Sequence, residues 1–528
     1  MIGINIGSQN TKYSAGDLIY VKDIYSTTDF KLNPILNDYL ERVILSIIQF
    51  KDGNNLIGES TKLGYKKCYL STFENLSRFI GFRYDLGINK EEFKYLYTHE
   101  NYIKEENKFK FKIKNNEYSI TGDYLVYAFL NEINKKIKLK LKTNDNQKFI
   151  FSIPDYYTLY QKESLKNILK ALDIYNEPII NESTALTMYY GYVNYNELTY
   201  ENKYIIFIDI GHSKTSFILS EFSRTKFSVK HVENIPFLGG RDINNLLFEL
   251  CLKKFEQQNK TKLKVTRRNK IRLLEEIEKA KKTLTINYEA LINVDSIQND
   301  IDFSFEITRD IFEKELNEFR AKIKVKLDSF LSNIKKYKPI KIEMAGQLLR
   351  IPILQKDISE KLNMSISKTI ALDECHSLGT LLYAIFIKGG KKFEELNNVE
   401  SYNNYTINFE ISNKRNSHYR GNIIPYKSTI WAGKIQSLSD KLEIKLFYPK
   451  YNFQDFELGD NYDIYYYSLD LSIIKKRKFI FIDYKIDDSN EFHFLLFNKE
   501  FNRVEKGILS FSENEKFIKE IKCFSLVN

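Results

Sequence analysis

The stretch Ile208 to Phe217, IDIGHSKTSF, decides the reading of this chain, because Ile4 to Tyr13, INIGSQNTKY, repeats it almost position for position. Each copy is an alternating apolar strand, a single glycine, a short polar turn, then Thr and an aromatic. One such decapeptide is an ordinary hairpin. Two copies about two hundred residues apart point to a duplicated domain with a ligand held between its halves. In each copy the glycine admits close backbone approach, and the turn N–H groups can converge on one concavity, as a phosphate cradle requires.

The rest of the chain fits that reading. At 528 residues it exceeds what one core holds, and the 43% hydrophobic content is that of a globular protein. Lys+Arg number 80 against 69 Asp+Glu, a net charge of +11, but the charge is diffuse; runs such as Lys135 to Lys142 read as solvated faces rather than a nucleic-acid groove. Four scattered cysteines, Cys68, Cys251, Cys375 and Cys523, show no CxxC and no His at ligand spacing, which predicts reduced structural thiols and no metal site built on His or Cys. His376 merely adjoins Cys375. The opening MIGINIG reads as a strand without the pattern of a signal peptide, and the longest apolar runs, around Tyr204–Ile208 and Leu381–Ile387, are too short to span a bilayer. A soluble, cytoplasmic protein without membrane association is expected.

From Met1 to about Lys388 strands alternate with long amphipathic helices, which predicts an α/β architecture. Phe149–Ile153 reads as a strand and Tyr160–Ile174 as a helix; Pro178 is expected to interrupt the path before a short strand at Ile179-Ile180. A further helix follows, capped by Asn181 or Ser183. Arg267 to Thr285 is helical, with Leu273, Leu274, Ile277, Ala280 and Leu284 on one face. Residues 389–400 read as a polar linker, and 401–528 as a separate small all-β domain with strands such as Thr406–Ile411, Leu442–Tyr448 and Phe479–Tyr484.

With the hairpins placed, other stretches fall into an ordered series: Phe151 to Asp155, Ile179 to Ala185, Leu238 to Asp242, Glu278 to Leu284 and Gly346 to Pro352. The series resembles the two-lobed, actin-like ATPase domain of the Hsp70 superfamily over roughly the first three quarters of the chain. His212-Ser213, Gly239-Gly240-Arg241-Asp242, Asn299-Asp300-Ile301-Asp302 and Asn181-Glu182-Ser183-Thr184 resemble the Hsp110 branch in particular. The resemblance implies ATP or ADP as ligand, with Mg²⁺. Gly7, Ser8, Gln9, Asn10 and Gly211, His212, Ser213, Lys214 would then meet the β and γ phosphates from opposite lobes, with Gly239 and Gly240 beneath. Asp209 and Glu182 would hold the Mg²⁺ through its waters. Glu278, Lys281, Lys282 and Thr285 match the face that grips the adenosine, and Arg350, after Gly346, matches the residue that stacks on the base. Taken alone, the helix face of Glu278 and Lys281 reads equally as a solvated charge face, and His212 as a surface turn residue.

Three departures bear on chemistry. Asn5 stands where the resemblance implies a metal-orienting Asp, Ser77 where it implies the Lys that orients the attacking water, and Gln347-Leu348 where it implies small residues near the base. Losing a charge aimed at a phosphoryl transition state costs orders of magnitude in rate, so nucleotide binding with little or no hydrolysis is expected and no catalytic residue is assigned. The resemblance then implies an Hsp110-type co-chaperone that exchanges nucleotide on a partner Hsp70, with unfolded polypeptide clients as ligands of the β domain. With the chain ending at Asn528, that domain is expected to lack a helical lid. The alternative is a ribosome-associated, Hsp70-like scaffold that works with a J-domain protein on nascent chains.

Overall fold

The computed structural model describes residues 2–7, 9–18, 30–34, 43–51, 53–61, 68, 71–82, 102–103, 108–113, 116–142, 149–372, 374–387 and 395–402, and only strand segments beyond 402. The two hairpins of the sequence repeat are the centres of two sheets. In the first, β1 (Ile2–Ile6), β2 (Asn10–Leu18), β3 (Phe30–Pro34), β4 (Phe149–Ile153) and β5 (Tyr175–Asn181) lie in the order β5-β4-β1-β2-β3. In the second, β6 (Lys203–Ile210), β7 (Thr215–Ser223), β8 (Lys226–Ile235), β9 (Pro339–Ala345) and β10 (Ile366–Ser367) repeat that order as β10-β9-β6-β7-β8. In both, the hairpin is antiparallel and the crossover strand joins its first strand in parallel, Ile4 beside Phe151 and Ile208 beside Met344. The duplication read from ten residues thus extends to the topology of two whole sheets, and the α/β two-lobed expectation holds.

Helices fill the connections. α1 (Gly122–Leu141) and α2 (Leu159–Ala171) belong to the first lobe; α3 (Glu182–Val193) leads from its edge strand toward the second. α4 (Gly240–Asn259), α5 (Arg267–Thr283) and the hairpin Glu289–Gln298/Ile301–Thr308 build out the second lobe around Leu247, Phe255, Ile277, Ile292 and Phe305. Asn299 and Asp300, both at positive φ, make that hairpin's turn, a conformation these short polar residues tolerate. α6 (Cys375–Ile387) returns from the second lobe and lies against β1, β4 and α3. α3 and α6 touch backbone to side: a Cβ on Gly379 would fall 2.5 Å from the Ala185 carbonyl carbon. Only glycine lets the two helices pack this closely.

Several local expectations are corrected. The helix expected at Tyr160–Ile174 runs Leu159–Ala171, because Thr158 and Gln161 form a reciprocal capping box one residue earlier, and Asp173 at φ 55 ends it. Pro178 does not interrupt a strand; β5 runs through it, which is tolerated because β5 is an edge strand and the missing N–H leaves no ladder bond unmade inside the sheet. Asn181 stands at the N-cap of α3, as one of the two expectations had it, but its side chain makes no capping bond. Asn181 instead accepts from Lys162 Nζ at 3.1 Å, and the first-turn Ser183 N–H donates to the Asp155 carboxylate at 3.1 Å. Burial raises Asp155 to about 6 against the lowering pull of Ser183 and Lys214. The helix expected at Arg267–Thr285 is α5, ending at Thr283 with Thr266 as its cap.

The second half of the expected linker, 395–400, is packed structure. Leu396 is buried, Glu395 pairs with Arg224 at 2.9 Å, and Asn398–Glu400 adds a parallel strand beside Lys226–Ser228. Its apolar residues, Leu396 and Val399, join the cluster under β8, which a composition rich in Asn and Glu had masked. Beyond residue 402 two four-stranded antiparallel sheets are described, one ordered His418–Ile423, Ile407–Asn413, Lys441–Tyr448, Tyr462–Asp470, and one ordered Ala432–Ile435, Ile480–Ile486, Phe492–Asn498, Arg503–Leu509. Trp431 and Cys523 lie outside the described residues. Cys68, Cys251 and Cys375 are free, as expected. Among the described residues no helix is long and apolar enough to cross a membrane.

Candidate functional site

The two hairpin turns face one another across a cleft of about 370 Å³ between the lobes. From the first lobe, Gly7, Gln9 and Asn10 line it; from the second, Gly211, His212, Ser213 and Lys214. Ser8 lies outside the described residues. The second turn is closed by the Gly211 N–H donating to Lys214 O at 2.9 Å. Gly239 and Gly240 lie directly beneath it: Gly240 N donates to Gly211 O at 3.0 Å and Arg241 N to His212 O at 2.8 Å. A Cβ on Gly239 would stand 2.6 Å from the His212 carbonyl, so no larger residue fits there. Asp242 accepts the Gly239 N–H at 2.8 Å and fixes the start of α4, whose twenty-residue dipole therefore points its positive end at the turn. His212 is held neutral, its pKa pushed down to about 3 by burial and by Lys281. The two turns and this helix end thus converge on one cleft, as the repeat implied.

The residues expected on the adenosine side line the same cleft. Glu278, Lys281 and Lys282 on α5 and Thr285 just beyond its end line the cleft together with Gly346, Gln347, Leu348 and Arg350. Lys281 Nζ donates to Glu278 Oε2 at 2.6 Å, Asn244 Oδ1 at 2.8 Å and Gly240 O at 3.3 Å. Burial lowers the Lys281 pKa, while Lys281 and Asn244 outweigh burial at Glu278 and lower it to about 2. Lys282, by contrast, is exposed, and Thr285 turns its hydroxyl back to Lys282 O at 2.7 Å. Arg350 and Gln347 are exposed at the rim. Gly346 sits at φ 75, and a Cβ there would lie 2.6 Å from Ile210 N; this position admits only glycine.

At the floor of the cleft the expected metal ligands meet, with a correction. Glu182 and Asp209 are both buried, and their carboxylates converge. Between them stands not an open position but the Lys214 ammonium, 2.6 Å from Glu182 Oε2 and 2.7 Å from Asp209 Oδ2. Lys214, expected at the phosphates, aims its ammonium at both carboxylates. Burial opposes charge on all three groups, yet their mutual attraction wins: the pKa of Asp209 and of Glu182 is lowered and that of Lys214 raised. Asn5, where the resemblance implies an Asp, donates its amide to Glu182 Oε1 at 2.8 Å and to Ser152 Oγ at 3.2 Å.

Sequence reasoning missed two residues here. His376 Nε2 lies 3.5 Å from Asp209 Oδ2, so the expectation of no metal-type cluster with histidine is corrected: Glu182, Asp209 and His376 place ligand-type atoms within 4.8 Å of one another. Burial disfavours charge on His376, but Cys375 and Asp209 outweigh it and raise its pKa to about 10. The second is Arg78, beside Ser77. Ser77 is buried and lines the cleft, while the Arg78 guanidinium crosses it to donate to Ser213 O at 2.9 Å and Pro236 O at 3.0 Å. No local pattern announces either residue, because His376 lies 167 positions and Arg78 135 positions from its partner.

A model described as Hsp70 protein matches residues 17–458. The chain is similar to a heat shock protein homolog of Lachancea kluyveri, 26% identical over 354 residues that cover 65% of this chain and 50% of that protein. It is similar also to heat shock protein 88 of Dictyostelium discoideum, 27% identical over 356 residues covering 66% of this chain and 45% of that one. Heat shock 70 kDa protein 4L of Homo sapiens is 27% identical over 251 residues, 47% of this chain and 30% of its own. The chain thus spans about half, or less, of the length of these relatives.

Proposed function

Because the chain belongs to the Hsp70 family, we propose that it binds an adenine nucleotide between its lobes and acts as an Hsp110-type co-chaperone, exchanging nucleotide on a partner Hsp70. The relatives of Hsp110 type favour that branch over an ordinary folding Hsp70. The observation that carries the reading is the mismatch inside one cleft. The binding parts are present: two facing turns, a helix N-terminus beneath them and the Glu278–Lys281 face. The charged groups that would serve hydrolysis are replaced by Ser77 and Asn5. A nucleotide that binds without being consumed biases the two lobes toward one arrangement, and that arrangement is what a partner reads. The strands beyond residue 402 supply a surface for unfolded clients.

The test is the rate at which a fluorescent ADP leaves a partner Hsp70 when this protein is added in substoichiometric amounts. Acceleration is expected. Unchanged release together with co-sedimentation on ribosomes would replace the exchange reading by the nascent-chain scaffold. A single-turnover ATP hydrolysis assay checks the second half of the proposal, and a rate typical of a folding Hsp70 would sink it.

A further inference from the structure

We infer that Lys214 takes the place of the divalent cation in this site, so that nucleotide binds here without Mg²⁺. The inference rests on the nucleotide reading above. A hydrated Mg²⁺ asks its surroundings for acceptors, since every water on it points its protons outward. Here the groups around the same spot are already paired with one another. Asp209 Oδ2 accepts from the Lys214 ammonium at 2.7 Å, a charge-assisted hydrogen bond, and Glu182 Oε2 forms an ion pair with it at 2.6 Å. Glu182 Oε1 accepts from the Asn5 amide at 2.8 Å. An aspartate in place of Asn5 would set a third carboxylate against Glu182; the amide instead offers a proton. The third ammonium proton of Lys214 has only a 3.3 Å contact to Ser216 Oγ and can turn toward a phosphate oxygen.

The backbone holds this arrangement in place. Lys214 closes the turn through its carbonyl, accepting from Gly211 N at 2.9 Å, so its side chain starts at a fixed point on the cradle. The corresponding residue of the first hairpin is Asn10, which is neutral, so the two copies differ in charge where they are otherwise alike. For Mg²⁺ to enter, Lys214 would have to leave two buried carboxylates, or a doubly charged ion would have to sit beside an ammonium. A single internal cation that links both carboxylates to the phosphate does the metal's electrostatic work with a covalently tethered charge.

The experiment compares ADP binding by calorimetry in excess Mg²⁺ and in excess chelator, for the wild-type chain, Lys214→Thr and Lys214→Arg. The wild type and Lys214→Arg are expected to bind equally under both conditions, within about threefold; Lys214→Thr is expected to lose about tenfold or more in chelator and to recover with Mg²⁺. Wild-type binding that is about tenfold or more tighter with Mg²⁺ overturns the inference, and this comparison needs no variant to fold. If the wild type binds ADP in neither condition, the nucleotide reading fails, and titration of Mn²⁺ alone, followed by electron paramagnetic resonance, still decides the inference. Wild-type protein that leaves Mn²⁺ free while Lys214→Thr captures it supports the substitution of cation by lysine. Wild-type protein that captures Mn²⁺ overturns it.

Discussion

Replacing Arg78 by methionine should loosen the two lobes from each other, and the structure fixes how much. The residue sits in the short turn of 3₁₀ helix Leu76–Phe79 on the first lobe and is buried at 6% exposure. Its guanidinium donates across the cleft to Ser213 O at 2.9 Å, Ser213 Oγ at 2.5 Å and Pro236 O at 3.0 Å. It also lies 5.5 Å from the Tyr156 ring and 5.6 Å from that of Phe237, one aromatic from each lobe. Methionine keeps the apolar stem and removes the donors. Hydrogen bonds to a charged group contribute about 1.5–3 kcal/mol each; all three contacts come from Nη2, whose two protons make about two full bonds, so the low end is about 3 kcal/mol, and water entering from the cleft restores part, which leaves about 2 kcal/mol. Urea denaturation followed by circular dichroism measures the loss, and small-angle scattering measures lobe opening. Arg78→Lys should fall between, because an ammonium keeps the charge but not the position of the Nη2 atom that reaches both carbonyls. A methionine variant within about 0.5 kcal/mol of wild type, with unchanged scattering, would refute the view that this arginine ties the lobes.

Other perturbations probe other joints. Gly379→Ala drives a methyl into the Ala185 backbone where α3 and α6 cross and should cost about 1–3 kcal/mol or more, read as a fall in the urea midpoint. Lys281→Ala removes the ammonium that organises Glu278, Asn244 and Gly240 O and should weaken ADP binding by about tenfold in calorimetry; an unchanged affinity would place the adenosine elsewhere. Glu233 is opposed by burial but bonded by His231, Lys326 and Asn333, and its pKa is lowered to about 2 from an ordinary 4.5. A carboxylate depressed on folding stabilises above its unfolded pKa and loses that contribution as pH falls toward the folded one, so Glu233→Gln should flatten the stability profile between about pH 4.5 and pH 2. Identical acid limbs for variant and wild type would contradict it. Thr158→Ala removes the cap of α2 and should cost about 1 kcal/mol in the same denaturation assay.

Much of this was legible in the chain because it is local. The hairpin repeat, the strand beginning at Phe149, the amphipathic face of α5 and the glycine pair at 239–240 each express a period or a turn within about a dozen residues, and each came out in place. The start of α2 shifted where one side chain, Thr158, decided it. The docking of residues 395–400 onto β8 escaped notice because two apolar residues in a polar run carry no periodic signal; only the waiting sheet edge gives them meaning.

By itself, then, the sequence determined the two like hairpins, and these face each other across one cleft lined by Ser77 and Asn5. What it left open was where charged side chains point. Lys214 read as a phosphate contact, and only the tertiary structure turned it inward onto Glu182 and Asp209. His376 and Arg78 likewise acquired roles from partners more than a hundred residues away. Spacing along the chain fixes backbone periodicity, but electrostatic pairing falls off with distance in space, and that distance exists only once the two lobes have closed on each other.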